Sequence, residues 1–354
     1  FKIPLPPIEE QKEIVKVVET LFKEVEQLEQ LTVKRISLKE DFVTSALNQL
    51  TINNAKKEWA FLQDHFKSFF NETNNIKKLR ETVLQLAVQG KLTQDWRGIN
   101  PDTEDASILL KRIQEEKVQL IKDKKIKKEK ALPPITKEEI PYDLPKGWVW
   151  CRWVDLLGTV KYPMKRGPFG SALRKADFVE SGIRVFEQYN PINDDPNWMR
   201  YFITEDKYQS MKAFTTEAGD FLISCSGATL GRIVFLPEGT RPGIINQALL
   251  KLTLSKDVIL TDYFLKLFRS QYIQEKIWQK AKGMAIPNMV GVKDLKNMLI
   301  PLPPLNEQKS ILEKANALMG LCDTLTQEVQ QSQEHSKQLM QSVLREVFVP
   351  DDLN

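Results

Sequence analysis

Ile3-Pro4-Leu5-Pro6-Pro7-Ile8-Glu9-Glu10-Gln11-Lys12 returns as Ile300-Pro301-Leu302-Pro303-Pro304-Leu305-Asn306-Glu307-Gln308-Lys309, 297 residues further on. Proline fixes its own φ and lacks an N–H, so it closes off a helix on its N-terminal side. A glutamate just inside the start complements the positive end of the helix dipole. Each copy is therefore a helix-start device. The likeness runs on beyond it, with Ile14, Val18, Leu21, Val25 and Leu28 aligned on Ile311, Ala315, Leu318, Cys322 and Leu325. Intervals of four and three make one apolar seam on each helix. The chain reads as a repeat protein whose two like helices, about 8–50 and 306–347, form an antiparallel pair about a pseudo-twofold axis. Val25, Leu28, Cys322 and Leu325 are expected on buried seams where the helices meet, with Cys322 a small core hydrophobe.

A chain of 354 residues is long enough for two or three structural units and at least one sizeable core. Its 42% hydrophobic and 28% charged residues are those of an ordinary soluble protein. No apolar run approaches the roughly 18 residues of a membrane span. Phe1-Lys2-Ile3-Pro4 has neither the basic nor the apolar region of a signal peptide, and reads as a cut end. Cys151, Cys225 and Cys322 lie far apart without a CxxC pair, and His65 and His335 lack ligand-like neighbours. No metal site is expected, and a reducing, cytoplasmic setting fits.

The net charge of +4 conceals an asymmetry: Pro145 to Leu299 holds 22 Lys and Arg against 15 Asp and Glu, and 20 of the 31 aromatic residues. Aromatic side chains bring the largest buried areas, so this segment is where a globular core is expected. A compact basic domain held by near-neutral helices is the footprint of a polyanion binder; a solvated basic face with no partner is the alternative.

Along the chain, Trp59, Phe61, Phe66, Phe69 and Phe70 make residues 51–70 more aromatic than a solvated helix, marking a packed helix or a docking surface. Ile76, Leu79, Val83 and Leu86 recur at helical spacing up to Gly90, a C-cap, and 91–105 reads as a loop. Ala106 to Lys130 is predicted helical, and its lysine-rich end serves phosphates or simply the helix dipole. A proline-rich linker follows to Gly147. The period then shortens: 182–187, 220–224, 232–236 and 248–252 read as strands, and 262–279 as an amphipathic helix.

Several chemistries lack their signatures. There is no GxxxxGK[ST] for a nucleotide phosphate and no GxGxxG after a strand, and Asn190-Pro191-Ile192-Asn193 is not the Asn-Pro-Pro-Tyr motif of adenine methyltransferases. Glycine-rich basic loops are present instead. Lys161, Lys165 and Arg166 stand beside Gly167 and Gly170, so the backbone can approach a phosphate while side chains reach a groove. Ser226, Thr229 and Arg232 add hydroxyls and a cation after a strand. Gln188, Asn190, Asn246 and Gln247 are the amide type that pairs bidentately with adenine, and Arg166, Arg174 and Arg184 the type that pairs with guanine. Asn246-Gln247 has a second reading, as a tie between backbone groups inside the domain.

At these residues the chain resembles the DNA-specificity subunit of type I restriction-modification systems. The resemblance covers nearly the whole length. It rests on the doubled IPLPP clamp, LRETVLQLAVQGKLT at Leu79 to Thr93, LPKGWVWCRWVDL at Leu144 to Leu156, GPFGSALRKADFVESGI at Gly167 to Ile183, and KGMAIPNMVGVKDLKNMLIPLPP at Lys282 to Pro304. It implies an α+β fold, with one globular mixed α/β target-recognition domain flanked by long helices forming an antiparallel coiled coil. It implies a non-catalytic subunit that reads half of a bipartite target, with methyltransferase and restriction subunits as partners. No cofactor is expected on this chain, S-adenosylmethionine being bound by the methyltransferase subunit. A complete member has two recognition domains and this chain has one. The clamp at its start is therefore expected to follow a missing first domain, or the chain is a half-subunit that associates with itself.

The expected organisation is a first coiled-coil region over 1–70, a helical connector over 71–143, the recognition domain over 144–299 and a second coiled-coil region over 300–354. Lys161, Lys165, Arg166, Arg174, Lys175, Gln188, Asn190, Ser226, Thr229, Arg232 and Lys282 are the expected DNA contacts. The rival reading is a helical adaptor whose α+β domain binds protein.

Overall fold

The computed structural model describes residues 4–52, 55–126, 132–279, 281 and 287–348. They form two compact units, one of residues 1–82 and 319–354 and one of residues 83–318.

The first unit is helical. Its helices are α1 (Ile8–Ile52), α2 (Ala55–Asp64), α3 (Phe66–Phe69) and the start of α4 (Thr73–Val88). It also takes in the later part of the last helix, introduced below. Lys78 on α4 donates to Thr44 Oγ1 on α1 at 2.8 Å, and Asn74 donates to Glu40 Oε1 at 3.0 Å. Arg80, two residues on from Lys78 and so about 200° around the helix, meets Asp323 at 2.6 Å and Thr326 Oγ1 at 3.2 Å. Opposite faces of α4 thus engage α1 and the last helix.

That interposition corrects the expected seam. Val25 and Leu28 are 59% and 64% exposed, whereas Cys322 is buried at 3% and Leu325 half-buried. The apolar residues of α1 that do bury, Val43, Leu47 and Leu50, lie in its last turns. The aromatic segment is corrected too as an open surface: Phe70 is fully buried, Trp59, Phe66 and Phe69 are half-buried, and Leu79 is 4% exposed. Phe61 alone of these stays largely exposed, with its ring 6.0 Å from that of Phe42.

The second unit is α+β. Ahead of its sheets come α5 (Gln94–Ile99) and α6 (Ala106–Lys122). The chain then runs through β1 (Val149–Arg152), β2 (Met164–Arg166), β3 (Ile183–Phe186), α7 (Tyr189–Asn193), β4 (Tyr201–Ile203) and α8 (Glu205–Ser210). It continues through β5 (Thr215–Thr216), β6 (Asp220–Ser224), β7 (Ile233–Phe235), β8 (Gly243–Ile245) and β9 (Leu249–Thr253). Last come α9 (Thr261–Arg269), α10 (Gln271–Trp278), α11 (Val292–Asn297), β10 (Leu299–Leu302) and α12 (Leu305–Phe348).

One four-stranded sheet has the order β2-β9-β6-β7 and is antiparallel throughout; the other, β4-β3-β8-β5, holds a parallel β3–β8 pair. Leu222, Val234 and Leu249 of the first sheet pack with Phe186 and Ile245 of the second. Phe221, Ile223 and Leu252 face the other way, into a core shared with Phe264, Leu267 and Phe268 of α9. Covered on both faces, β6 is buried at every residue. Each such large apolar side chain contributes roughly 1.5–3 kcal/mol. The expected connector adds Ala87, Val88, Ala106, Leu110 and Ile113 to the same core.

β1 and β10 close the domain as a two-stranded ladder, Val149 opposite Leu302 and Arg152 opposite Leu299. The second proline clamp is therefore strand before it is helix start. Just past it Glu307, 1% exposed, accepts from Thr93 Oγ1 at 2.6 Å, from Trp148 Nε1 at 2.8 Å and from the Arg97 guanidinium. Three helical expectations change in this unit, the first being the helix read from Ala106 to Lys130, which ends as α6 at Lys122, with residues 127–130 lying outside the described residues. The segment read as a loop after Gly90 contains α5, and the helix read over 262–279 is broken by Ser270, whose extended backbone separates α9 from α10.

Candidate functional site

Cross-strand register brings several strand ends together. Arg166, the last residue of β2, faces Leu250, and Ser224, the last of β6, faces Leu249. Phe186, the last of β3, faces Ile245, after which the chain turns through 246–248 into β9. The backbones at this end are sewn tightly. Gly167 N–H donates to Leu249 O at 2.8 Å, and a Cβ on Gly167 would lie 1.8 Å from Asn246 O. Only glycine allows that approach. Asn246 Oδ1 accepts from Ala248 N–H at 3.0 Å, so this amide is the backbone tie of the second reading above.

A continuous polar strip lies over these ends. The Arg166 guanidinium donates to Asn288 Oδ1 at 2.6 Å and stacks 5.3 Å from the Phe169 ring. Asn288 pairs with Ser226 as a β-bridge. Gln188 Nε2 donates to Ser226 O and to Ser224 Oγ, both at 2.9 Å. Thr229 Oγ1 stands 3.4 Å from Ser224 Oγ. Beyond Gln188, the Tyr189 ring stacks on Trp198 at 4.2 Å, with the Arg200 guanidinium 5.7 Å from the Trp198 ring. The strip is amide, hydroxyl and guanidinium in its middle and aromatic at either end.

Arg166, Gln188, Ser226 and Thr229 are thus brought together as expected from the sequence; Arg232 is exposed on the turn that follows, its backbone N–H donating to Thr229 O at 3.2 Å. Others stand elsewhere. Lys165 points to the other side of β2, 5.2 Å from the Phe214 ring, and the exposed Lys161 lies before that strand, 5.5 Å from Tyr162. Arg174 and Lys175 are exposed on a separate turn that Asp177 caps by accepting from Arg174 N–H at 2.7 Å. The Arg174 and Lys207 groups hold the Asp177 carboxyl below the usual carboxylate range, the Arg174 N–H foremost. Lys282 lies outside the described residues.

Two expected base readers are corrected. Asn190 is fully buried; its Oδ1 accepts from Glu187 N–H at 3.0 Å and its Nδ2 donates to Asp195 O and Trp198 O. Arg184, 4% exposed, donates to Pro196 O and Trp198 O, its guanidinium 3.8 Å from the Phe186 ring. Both hold the 187–198 loop in shape, leaving no polar edge for a base. Sequence reasoning missed Asn288 and Trp198. The one available signal for Asn288 was a lone amide inside the apolar run Ala285-Ile286-Pro287-Asn288-Met289-Val290.

The strip has the chemistry of hydrogen-bond recognition. The thiol nearest to it, Cys225, is buried and pushed up to about 12, out of the range of a nucleophile. Among the described residues no group of His, Cys, Asp and Glu could hold a metal ion, and no helix is long and apolar enough to cross a membrane.

Residues 170–334 match the family model described as "Type I restriction modification DNA specificity domain". The chain is 30% identical over 331 residues to the type I restriction enzyme EcoAI specificity subunit of Escherichia coli, covering 91% of this chain and 54% of the relative. It is 29% identical over 351 residues to the EcoEI specificity subunit of Escherichia coli, covering 94% and 56%. The chain thus spans about half the length of the curated relatives it matches. A solved chain from "Structural basis underlying complex assembly andconformational transition of the type I R-M system" aligns over 99% of this chain and 62% of its own length, at 19% identity and TM-score 0.49.

Proposed function

We propose that this chain, whose residues 170–334 match the type I restriction-modification DNA specificity model, is a member of that family and that its α+β unit reads one half of a bipartite duplex DNA target on behalf of methyltransferase and restriction subunits. The observation that carries this reading is the strip from Arg166 through Asn288 and Ser226 to Gln188, which sets guanidinium, amide and hydroxyl groups side by side. Those groups match the donor and acceptor code of base edges in the major groove. Lys161, Arg174 and Lys175, exposed and away from the strip, take phosphates. The chain performs no bond chemistry itself. Methyl transfer belongs to partner subunits that bind S-adenosylmethionine, and the setting is cytoplasmic.

The helical unit holds those partners. Its α1 displays Ile14, Leu21, Val25 and Leu28 at 48–64% exposure along one seam, apolar surface available to another helix.

Titrating duplex DNA against the chain at several salt concentrations tests the reading. A steep fall of log affinity with log salt, shallower by roughly one unit for each phosphate-contacting cation replaced by alanine, is expected. Binding that ignores salt, or no binding, overturns it in favour of a protein-binding adaptor. Reconstitution with the methyltransferase subunit should then confer sequence-dependent methyl transfer.

A further inference from the structure

Phe169 is the most exposed large apolar side chain among the described residues of 144–299, at 66%. Burial in water-excluded surroundings is the ordinary state of phenylalanine, and the domain has a full core available to it. Three features hold the ring out instead. Pro168 and Gly167 before it are buried, with Gly167 pinned to Leu249 O and pressed against Asn246 O. Gly170 after it takes φ +64°, a left-handed conformation that opens a 3-10 turn over Gly170–Ala172, with nothing within 4 Å of where its Cβ would stand. The Arg166 guanidinium, itself fixed by Asn288, stacks on the ring. The loop is therefore a short, rigid tip that displays an aromatic ring next to hydrogen-bonding groups.

We propose that Phe169 is a wedge: on a bound duplex its ring enters between two adjacent base pairs and partly unstacks them, while Arg166 beside it holds a base edge or phosphate. The proposal rests on the DNA-reading role given above and adds a mode of recognition to it. An inserted apolar ring replaces part of the lost base stacking, and the cost of opening the step depends on which step is opened. Pyrimidine–purine steps open most easily. Phe169 then selects sequence by deformability, at a position where no hydrogen bond reports the base. A rigid tip suits this role, because a mobile loop would give back in ordering entropy what the insertion gains.

The test uses the whole chain and a duplex that it selects from a randomised pool, with 2-aminopurine placed at each position of the preferred site in turn. With the unaltered chain, one step should brighten on saturation, reporting unstacking there. Phe169→Ala should abolish that signal at saturating protein and weaken the selected duplex about tenfold, with little effect on a random duplex; Phe169→Leu, still an apolar wedge, should keep part of both. The side chain is exposed, so an unchanged thermal melt for each variant separates this effect from misfolding. If the duplex binds and no position brightens, or if the brightening survives Phe169→Ala, the wedge is wrong and the DNA-reading role stands. If the unaltered chain selects no duplex, both fall together.

Discussion

The Arg166 guanidinium and the Asn288 side-chain oxygen, 122 residues apart in sequence, meet at 2.6 Å and tie the end of β2 to the segment before α11. The bond aims the guanidinium, because a long side chain left to itself samples many rotamers and loses that freedom on binding. Replacing Asn288 by alanine should therefore weaken binding to a cognate duplex by about 1–2 kcal/mol, a neutral amide's share of a charge-assisted bond. Anisotropy titrations of Asn288→Ala, Arg166→Ala and the double variant measure it. Additive losses in the cycle would show that the two act separately.

Glu307 gives a stability prediction. Its carboxylate is buried and takes donors from Thr93, Trp148 and Arg97. Glu307→Ala strands those donors, Arg97 included, and should cost about 3–5 kcal/mol. Denaturant unfolding reads this directly, and an unchanged midpoint would mean the network holds nothing together.

Gly167 tests the closeness of the β2 exit to the 246–248 turn. A methyl group there collides with backbone rather than with a flexible side-chain end. Gly167→Ala should lower stability by about 1–3 kcal/mol and displace Arg166 and Phe169. Gly98→Ala, where nothing lies within 4 Å of the added carbon, is the control expected to leave DNA binding unaltered.

Asp177 gives a pH dependence. Its folded-state pKa lies below the ordinary carboxylate value, through the Arg174 N–H first and Lys207 next. A depressed carboxylate contributes stability above its unfolded value and loses that contribution as pH falls through the folded one. Asp177→Ala should therefore melt below the unaltered chain at pH 7, the gap closing in acid. A gap that stays constant down to strongly acidic pH would contradict the assignment.

Much of the architecture could be read from residue patterns. The proline clamps placed the starts of α1 and α12 at Ile8 and Leu305, within a residue of expectation. Strands β3, β6 and β7 fell inside runs identified by their short period, and β9 overran its run by one residue at Thr253. What escaped were strands such as β5, only two residues long, and β10, whose proline at 301 argues against a strand. β10 exists because β1 is there to pair with it.

The site was legible in residue type and less so in orientation. Gln188 and Asn190, two positions apart, looked equivalent, yet one lies on the strip and the other is sealed inside the loop. Which side of the chain an amide faces is decided by partners such as Trp198 O, and one-dimensional spacing says nothing about them. The seam of α1 failed for the same reason, since α4 already occupies the place where α12 was expected to pack.

The β1–β10 ladder has a mechanical meaning. Its two strands are the first and last of the domain, antiparallel, with Val149 opposite Leu302 at the end where the chain enters and leaves. Tension on the flanking segments peels this ladder one rung at a time, because its hydrogen bonds are loaded in series and not in parallel. Just outside that end Trp148 donates to Glu307 at 2.8 Å, so a clasp between the two flanking segments guards the rung that would open first.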